Sequence, residues 1–416
     1  MGEWVLSNIG GLIDFLVHNI PYYAQYGECT SLAELPIVNK QLIRTNYEAF
    51  ISTKISDEDR KEILKILRGD FKKKNNSANE VYEYKNYIFE ETTGTSGVPF
   101  RVIKSEEDRF RIGAEVWRRR RKIDSGASPQ LLYRLNHTSI HSKQLNTYNY
   151  EVENILGIYK EIEAKKIRWL HVSPNPLKMH ANILKEYGNF NFDNLKYIEC
   201  TGNFFSDEQK KLYEDVFGAT VINQYGSMET WPMAYTCVNN AMHVLNNIIL
   251  ELVDDNNIPI TNYGEVGNVL VTCLDLKTMP LVRYRIGDYG KFVENNCSCG
   301  VKAPILELIP GREVNIIKGF DEKIFGNIAF SKIVQGTARR LGVWDQIEYI
   351  QVQQMSELKF DVLMNWFDDA DDFIKLMEEI TESELGKKVN MSPVFLDQEQ
   401  LVKKQEEKPN VFLCKY

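Results

Sequence analysis

The sequence is poor in cysteine, with seven in 416 residues, unevenly spaced. That number and placement exclude a disulfide framework in a chain of this size. It also has no long apolar run. The stretch Met1-Gly2-Glu3-Trp4-Val5-Leu6 has no basic residues ahead of its apolar ones, and Asp14 and His18 interrupt the apolar residues beyond it. This pattern reads as an amphipathic helix and argues against a signal peptide or a membrane span. Leu6 also breaks the myristoylation pattern. The cytoplasm is the expected compartment, with no membrane partner. An excess of positive charge is absent too: the formal net charge is −8. A broad nucleic-acid surface needs a basic field, so no nucleic-acid partner is expected. The one strong basic run, Arg118-Arg119-Arg120-Arg121-Lys122, comes after acids at 106–108 and reads as a solvated or phosphate-facing helix end. No internal repeat or low-complexity tract is present.

What the chain does have is length for two or three domains with a sizeable core, and one stretch dense in hydroxyls and glycine. Glu91-Thr92-Thr93-Gly94-Thr95-Ser96-Gly97-Val98-Pro99 holds four hydroxyl residues and two glycines. Glycine lets a backbone turn sharply and approach a ligand. Exposed N–H groups and hydroxyls in such a turn make a cradle for phosphate oxygens. The stretch lacks the Gly-Lys-Ser/Thr ending of the Walker loop, and it is not G-x-G-x-x-G. A phosphate cradle and an ordinary Thr/Ser/Gly loop between strands are both compatible with it. Tyr82 to Phe89 alternates as a strand before it, and Phe100-Arg101-Val102-Ile103 reads as the return strand.

Residues before about 85 read as mostly helical, with apolar residues at helical spacing over Asp57 to Leu67. Ser105 is the expected N-cap of a helix reaching Lys122. Strands and helices then alternate. Strands are expected at Ile167 to Val172, Leu195 to Cys200 and Thr220 to Gln224. Helices are expected at Leu145 to Ala164, Leu177 to Tyr187 and Asp207 to Phe217. Pro174-Asn175-Pro176 reads as a breaker. Such alternation predicts an α/β region with a parallel sheet. After Met242 the pattern turns to strands. The last hundred residues show a strand pair (Ile347 to Gln354, Leu358 to Met364), a helix (Asp371 to Leu385) and a lysine-rich tail.

Two short motifs stand after expected strands: Asn223-Gln224-Tyr225-Gly226-Ser227-Met228-Glu229, and Arg283-Tyr284-Arg285-Ile286-Gly287-Asp288. Pro310-Gly311-Arg312 comes after them. Each is weak alone; Tyr225-Gly226 would pass as a strand end, and Arg283 with Asp288 as a surface pair. In this order and spacing the motifs resemble the adenylate-forming (acyl-CoA synthetase-like) superfamily. Leu35-Pro36-Ile37-Val38-Asn39-Lys40, a Cys-x-Cys-Gly before the Gly-Arg, and Ile347 to Gln354 make the chain similar to the phenylacetate–CoA ligase and CapK-like branch. The resemblance spans nearly the whole chain.

It implies a large N-terminal α/β adenylation domain of mixed sheets and helices (1–311) and a small C-terminal α+β lid (312–416), with a hinge near Asn315. It implies a two-step reaction with ATP and Mg²⁺. A carboxylate attacks the α-phosphorus, and CoA, a carrier protein or an amine then displaces AMP. A non-catalytic nucleotide-binding relative is the remaining alternative, and a homodimer is left open. The substrate class implied is an aryl or other small carboxylic acid.

By the same resemblance Thr92, Thr93, Gly94, Thr95, Ser96 and Gly97 hold the β- and γ-phosphates. The superfamily often has a lysine at the end of this loop. Val98 and Phe100 stand there, so Arg101 or the arginines at 118–121 are the expected substitutes. Tyr225 stacks on adenine beside Gly226, and Gly202 lies under it. Glu229 binds Mg²⁺, a hard ion suited to carboxylate and phosphate oxygens. Met228 stands where threonine is common, which moves the α-phosphate contact to Ser227 or Thr230. Asp288 holds the ribose through two acceptor oxygens, Arg312 contacts phosphate or ribose, and Lys408, with Lys404 in reserve, is the lid lysine.

Cys237, His243, Cys297 and Cys299 form Cys-x5-His and Cys-x-Cys pairs. Three thiolates and one imidazole suit a closed, structural, tetrahedral Zn²⁺ site; four unrelated residues, two of them in a turn, are the alternative. The other cysteines look like small core residues. His137 and His141 sit in a polar loop. Trp231 suits either the acyl pocket or the core.

Overall fold

A computed structural model describes residues 3–69, 82–92, 100–135, 151–312, 316–320, 324–343, 346–406 and 411–415. The expected contacts of Thr93, Gly94, Thr95, Ser96, Gly97, His137, His141 and Lys408, and the hinge at Asn315, lie outside these residues. The chain divides into two compact units, Met1–Ile286 with Gly290–Glu307, and Gly287–Tyr289 with Leu308–Tyr416.

The first unit begins with helices α1 (Glu3–Asn19), α2 (Lys40–Thr45), α3 (Tyr47–Phe50) and α4 (Asp57–Arg68). The Ser56 hydroxyl accepts from Asp59 N at the start of α4. Acids fill its first turn and Lys65 and Arg68 its last, as the helix dipole favours. Ile63, Leu64 and Leu67 form its buried stripe. Next comes a three-stranded antiparallel sheet of β1 (Tyr82–Tyr84), β2 (Tyr87–Thr92) and β3 (Phe100–Ser105). The single strand expected over Tyr82 to Phe89 is instead two, because the chain reverses at Lys85, which has a positive φ of 51°. Thr92 opposes Phe100 across β2 and β3, so the hydroxyl/glycine stretch connects two paired strands.

Helix α5 (Glu106–Ile123) starts in a capping box between Ser105 and Asp108. Four parallel strands come next: β4 (Leu132–Leu135), β5 (Trp169–Val172), β6 (Tyr197–Thr201) and β7 (Thr220–Ser227). Their crossovers run through α6 (Val152–Ala164), α7 (Pro174–Tyr187) and α8 (Asp207–Phe217). Ile155, Ile158 and Tyr159 of α6, Leu177 and Ala181 of α7 and Tyr213 and Phe217 of α8 pack with Leu170, Ile198 and Val221 of the sheet into one apolar core. Pro174 does not break α7 but opens it. A helix's first N–H has no intrahelical partner, so proline costs nothing there.

From β7 the sheet continues antiparallel through β8 (Trp231–Thr236) and β9 (Met242–Val244). Then β10 (Ile248–Val253), β11 (Gly267–Cys273), β12 (Tyr284–Val293) and β13 (Ile305–Arg312) complete the order β10-β11-β12-β13-β9-β8-β7-β6-β5-β4. Both motifs expected after strands overlap them instead: residues 223–227 of the first lie in β7 with Met228 and Glu229 in the turn that follows, and the second motif lies in β12 save Arg283 just before it.

The second unit holds the short pair β14 (Ile316–Ile317) and β15 (Ile324–Phe325), then α9 (Gly326–Leu341), β16 (Ile350–Ser356), β17 (Lys359–Met364), α10 (Ala370–Leu385), β18 (Asn390–Phe395), α11 (Gln398–Glu406) and β19 (Phe412–Cys414). The last four strands form a sheet in the order β18-β17-β16-β19. Phe330 of α9, Phe373 and Met377 of α10, and Phe360 and Phe412 of the sheet make its core.

Candidate active site

Glu229 is the centre of the site, and a sharp turn puts it there. Gly226 in β7 leaves no space for a side chain: a Cβ would lie 2.8 Å from the Trp231 carbonyl oxygen. Its hydrogen lets β8 fold directly back. Ser227 Oγ accepts from Thr230 N at 3.2 Å and pairs with Thr230 Oγ1 at 3.1 Å. The turn between them sends the Glu229 side chain inward, where it is 3% exposed. Its Oε1 meets Lys40 Nζ at 3.0 Å and accepts from the Tyr284 hydroxyl at 3.1 Å. Burial pushes the carboxyl upward, but the Lys40 charge and the surrounding hydrogen bonds outweigh it and hold it at about 2. Glu229 is therefore a buried carboxylate held in its ionised form at neutral pH.

The second motif brings both partners to it. Val38 N donates to the Arg283 carbonyl at 3.2 Å, and Arg285 N donates to the Val38 carbonyl at 2.8 Å. Arg283 Nη1 reaches the carbonyls of Ala33 (3.0 Å) and Leu35 (2.6 Å), while its Nε bonds Glu251. Arg283 is thus buried and structural, not half of a surface pair. It clamps the segment Ala33–Val38 to the start of β12, and Lys40 lies two residues further on. Asn39 Oδ1 accepts from Leu42 N and caps α2, which fixes the backbone of Lys40.

The hairpin that carries the hydroxyl/glycine stretch is latched to the same turn. Phe100 is a core ring, stacked with Tyr47 on one side and Tyr284 on the other, so a lysine at that position would lose both contacts. Lys104, almost fully buried, pairs with Glu90 and donates to the Met228 carbonyl at 2.7 Å. Trp231 Nε1 donates to both Glu90 oxygens at 3.0 and 2.9 Å. Trp231, with φ of +62°, is committed to this latch. The Thr92 hydroxyl, where β2 ends, is buried with no hydrogen-bond partner among the described residues.

Tyr225 and Gly202 stand at the carboxyl ends of the parallel strands β7 and β6. That is where open α/β sheets bind ligands. Gly202 needs its glycine, with φ of +88°, and faces Ser173 after β5. Below lies a fully buried polar network. Glu199 takes a bidentate pair from Arg120 (2.8 Å each), a bond from Trp169 Nε1 (2.8 Å) and one from the Tyr235 hydroxyl (3.1 Å). His171 Nε2 stands 3.6 Å away, and burial lowers its pKa to about 4. Arg119 and Arg120 of the basic run are therefore buried, the second as a core ion pair. Arg101 is likewise engaged, with Glu91 and with the carbonyls of Leu67 and Gly69.

No protein-family model matches the sequence, and no curated protein does. Solved structures do. 2-Hydroxyisobutyryl-CoA ligase in its postadenylation state, in complex with R3-HIB-AMP, is 14% identical; the match covers 95% of this chain and 86% of that one with a TM-score of 0.66. This is the fold of the adenylate-forming ligases. O-succinylbenzoate coenzyme A synthetase from Bacillus subtilis, in complex with AMP, shares 12% identity over 77% of this chain and 69% of that one, with a TM-score of 0.52. The amide bond synthetase McbA from Marinactinospora thermotolerans shares 16% over 76% and 66%, with a TM-score of 0.53.

On this adenylate-forming fold the remaining expected residues are spread. Asp288 lies half-buried on β12, within the short segment that groups with the second unit. Arg312 ends β13. Lys404 lies on α11. The hydroxyls of Ser227 and Thr230 serve the turn at Glu229. Lys40 and Lys104 join the site without having been expected from the sequence. Lys40 had one signal, its place in the Leu35–Lys40 motif; Lys104 had none, being an ordinary residue of an alternating strand.

The four residues expected to hold a metal do come together, with ligand atoms within 4.8 Å of one another. Cys237 and Cys297 sulfurs are 3.5 Å apart, and Cys299 Sγ is 3.2 Å from His243 Nε2. Zn–S bonds of about 2.3 Å place neighbouring tetrahedral ligands ~3.8 Å apart, so a small relaxation admits the ion. His243 Nδ1 lies 3.3 Å from the Ala303 carbonyl. A proton on Nδ1 leaves Nε2 bare toward the sulfurs, the tautomer a metal requires. Among the described residues no helix is long and apolar enough to cross a membrane.

Proposed function

We propose that the protein activates a small carboxylic acid with ATP, releasing pyrophosphate, and passes the acyl group from the adenylate to a thiol, with CoA the favoured acceptor. The observation that carries this is Glu229: a buried, ionised carboxylate on a turn latched to the hairpin that carries the hydroxyl- and glycine-rich stretch, on the fold of the adenylate-forming ligases. Bound Mg²⁺ would offset charge on the phosphate oxygens. One buried carboxylate fits that ion, which commonly takes one or two carboxylates and completes its shell with phosphates and water.

In the first step a substrate carboxylate oxygen bonds the α-phosphorus and the bond to the pyrophosphate oxygen breaks. Glu229 would hold the metal, and Thr92 with the hydroxyl- and glycine-rich stretch after it would donate to the phosphates. By the motif resemblance Tyr225 and Gly202 are the residues assigned to the adenine, and Asp288 and Arg312 those assigned to the ribose and phosphate. In the second step the thiol sulfur bonds the acyl carbon, AMP leaves with the C–O electron pair, and the thiol proton goes to solvent. Lys408 is the residue assigned to the adenylate from the lid. The finer reading, a phenylacetate–CoA ligase-like enzyme of the cytoplasm, rests on the motif order in the sequence.

Support for CoA comes from 2-hydroxyisobutyryl-CoA ligase, a structural neighbour solved with 2-HIB-AMP and CoA in the thioesterification state. The amide bond synthetase neighbour favours an amine as the second reading. ATP–pyrophosphate exchange against a panel of carboxylates tests the first step; no exchange with any acid would sink the enzyme reading. Thioester formation with free CoA, compared with a carrier protein and with amines, then decides the acceptor.

We also propose that Cys237, His243, Cys297 and Cys299 hold one structural Zn²⁺. It would tie the turn after β8 to the turn between β12 and β13 with no open coordination position. Metal analysis of the purified protein should find one zinc per chain. Stripping it with a chelator should lower Tm by on the order of 10 °C. A metal-free chain that is folded and equally stable would reject the site.

A further inference from the structure

The loop from Thr93 to Pro99 contains no basic residue, yet a triphosphate carries several negative charges. Three arginines that could be looked to for that charge are committed elsewhere. Arg101 serves Glu91 and two carbonyls, Arg120 serves Glu199, and Arg283 clamps the Ala33–Val38 segment. Lys104 is sealed under Trp231 against Glu90 and the Met228 carbonyl.

Lys40 is different in kind. Its ammonium sits on the very carboxylate assigned to the metal, 3.0 Å from Glu229 Oε1, yet the side chain is 33% exposed while Glu229 is 3% exposed. One end of this pair is sealed and the other opens to solvent. The backbone of Lys40 is held by the Asn39 cap and the Val38 bonds to β12, so only its four-carbon stem is free to swing.

Building on the adenylation reading, we propose that Lys40 is the phosphate-binding cation of this site. It pairs with Glu229 in the nucleotide-free protein and passes to the β- or γ-phosphate of ATP when the carboxylate takes up Mg²⁺. The exchange arises from charge. A divalent ion on Glu229 removes the net attraction that holds Lys40 and repels the ammonium. An incoming polyphosphate offers it a stronger anion within reach of the same stem. The chain thus replaces the loop lysine with one delivered from its N-terminal segment by Arg283.

Isothermal titration of ATP, pyrophosphate and AMP, each with Mg²⁺, into wild type, Lys40→Met and Lys40→Arg tests this. Lys40→Met should weaken ATP and pyrophosphate by about 10- to 100-fold, the loss of one charge-assisted bond to phosphate. It should leave AMP within about twofold, since AMP lacks the β- and γ-phosphates. Lys40→Arg should recover much of the loss. Circular dichroism checks that the variants fold. Unchanged ATP and pyrophosphate affinity in Lys40→Met would overturn the assignment. An equal loss for all three ligands would overturn it too, by showing that Lys40 shapes the pocket through Glu229 instead of touching phosphate. A wild type that binds none of the three would instead defeat the adenylation reading on which the assignment rests.

Discussion

Glu229→Gln is expected to lower ATP–pyrophosphate exchange by at least about 100-fold while leaving the fold intact. Glutamine keeps the shape and one acceptor oxygen, so the Tyr284 hydroxyl at 3.1 Å retains its partner. Lys40 is a third exposed and stays solvated without its counter-ion. What disappears is the negative charge, and a hard divalent ion needs that charge more than it needs the oxygen. Exchange assays with the acid the enzyme accepts, run beside thermal melts, separate the two effects. Full activity in Glu229→Gln would refute the metal-binding role.

The same carboxylate sets a pH dependence. Glu229 is held at about 2 against an ordinary 4.5. Its contribution to stability is therefore complete above the ordinary value and lost as pH falls toward the depressed one. An acid limb of activity near pH 6 would have to come from another group.

Arg120→Met should destabilise the first unit by about 3–5 kcal/mol. Arg120 and Glu199 are both essentially fully buried and joined by two bonds of 2.8 Å. Removing the arginine leaves a carboxylate with no water to solvate it. Its remaining hydrogen-bond donors, Trp169 Nε1 and the Tyr235 hydroxyl, are neutral, and burial holds His171, 3.6 Å away, in its uncharged form at neutral pH. Burial would then drive Glu199 to take up a proton, so the loss should be greatest near neutral pH and shrink as acid supplies that proton. Replacing both partners, as Arg120→Met with Glu199→Leu, should recover part of the stability. Urea unfolding monitored by tryptophan fluorescence reads this directly, since Trp169 stands on the network. A midpoint unchanged in Arg120→Met would show that the pair carries no net energy.

The basic run shows why some of this was hidden in the sequence. Five cations in a row read as a solvated helix end because their local neighbours are polar. The carboxylate that buries Arg120 lies on β6, far along the chain, and only strand order brings it close. The latch of Lys104, Glu90 and Trp231 escaped for the same reason: Lys104 and Glu90 are unremarkable strand residues, and Trp231 has no evident partner, until β2, β3 and β8 meet. Pro174 misled in the opposite direction, since a breaker and a helix-opening proline look alike without the hydrogen-bond ladder.

Local chemistry, by contrast, was legible. Helix α8 runs over the expected Asp207–Phe217 because Ser206 and Gln209 cap it reciprocally and Gly218 closes it in the left-handed conformation. The cap at Ser105 is equally local. The α/β alternation was legible because periodicity and turn chemistry act between residues close in sequence, and the adenylate-forming fold was expected from the resemblance that the motif order carries. The sequence by itself therefore determined the α/β alternation and most of the elements, and the motif resemblance singled out Glu229 as a candidate. Only the tertiary structure decided which cation faces that glutamate. A charge pair depends on distance in space, and Lys40 and Glu229 meet only after Arg283 has clamped the N-terminal segment to β12.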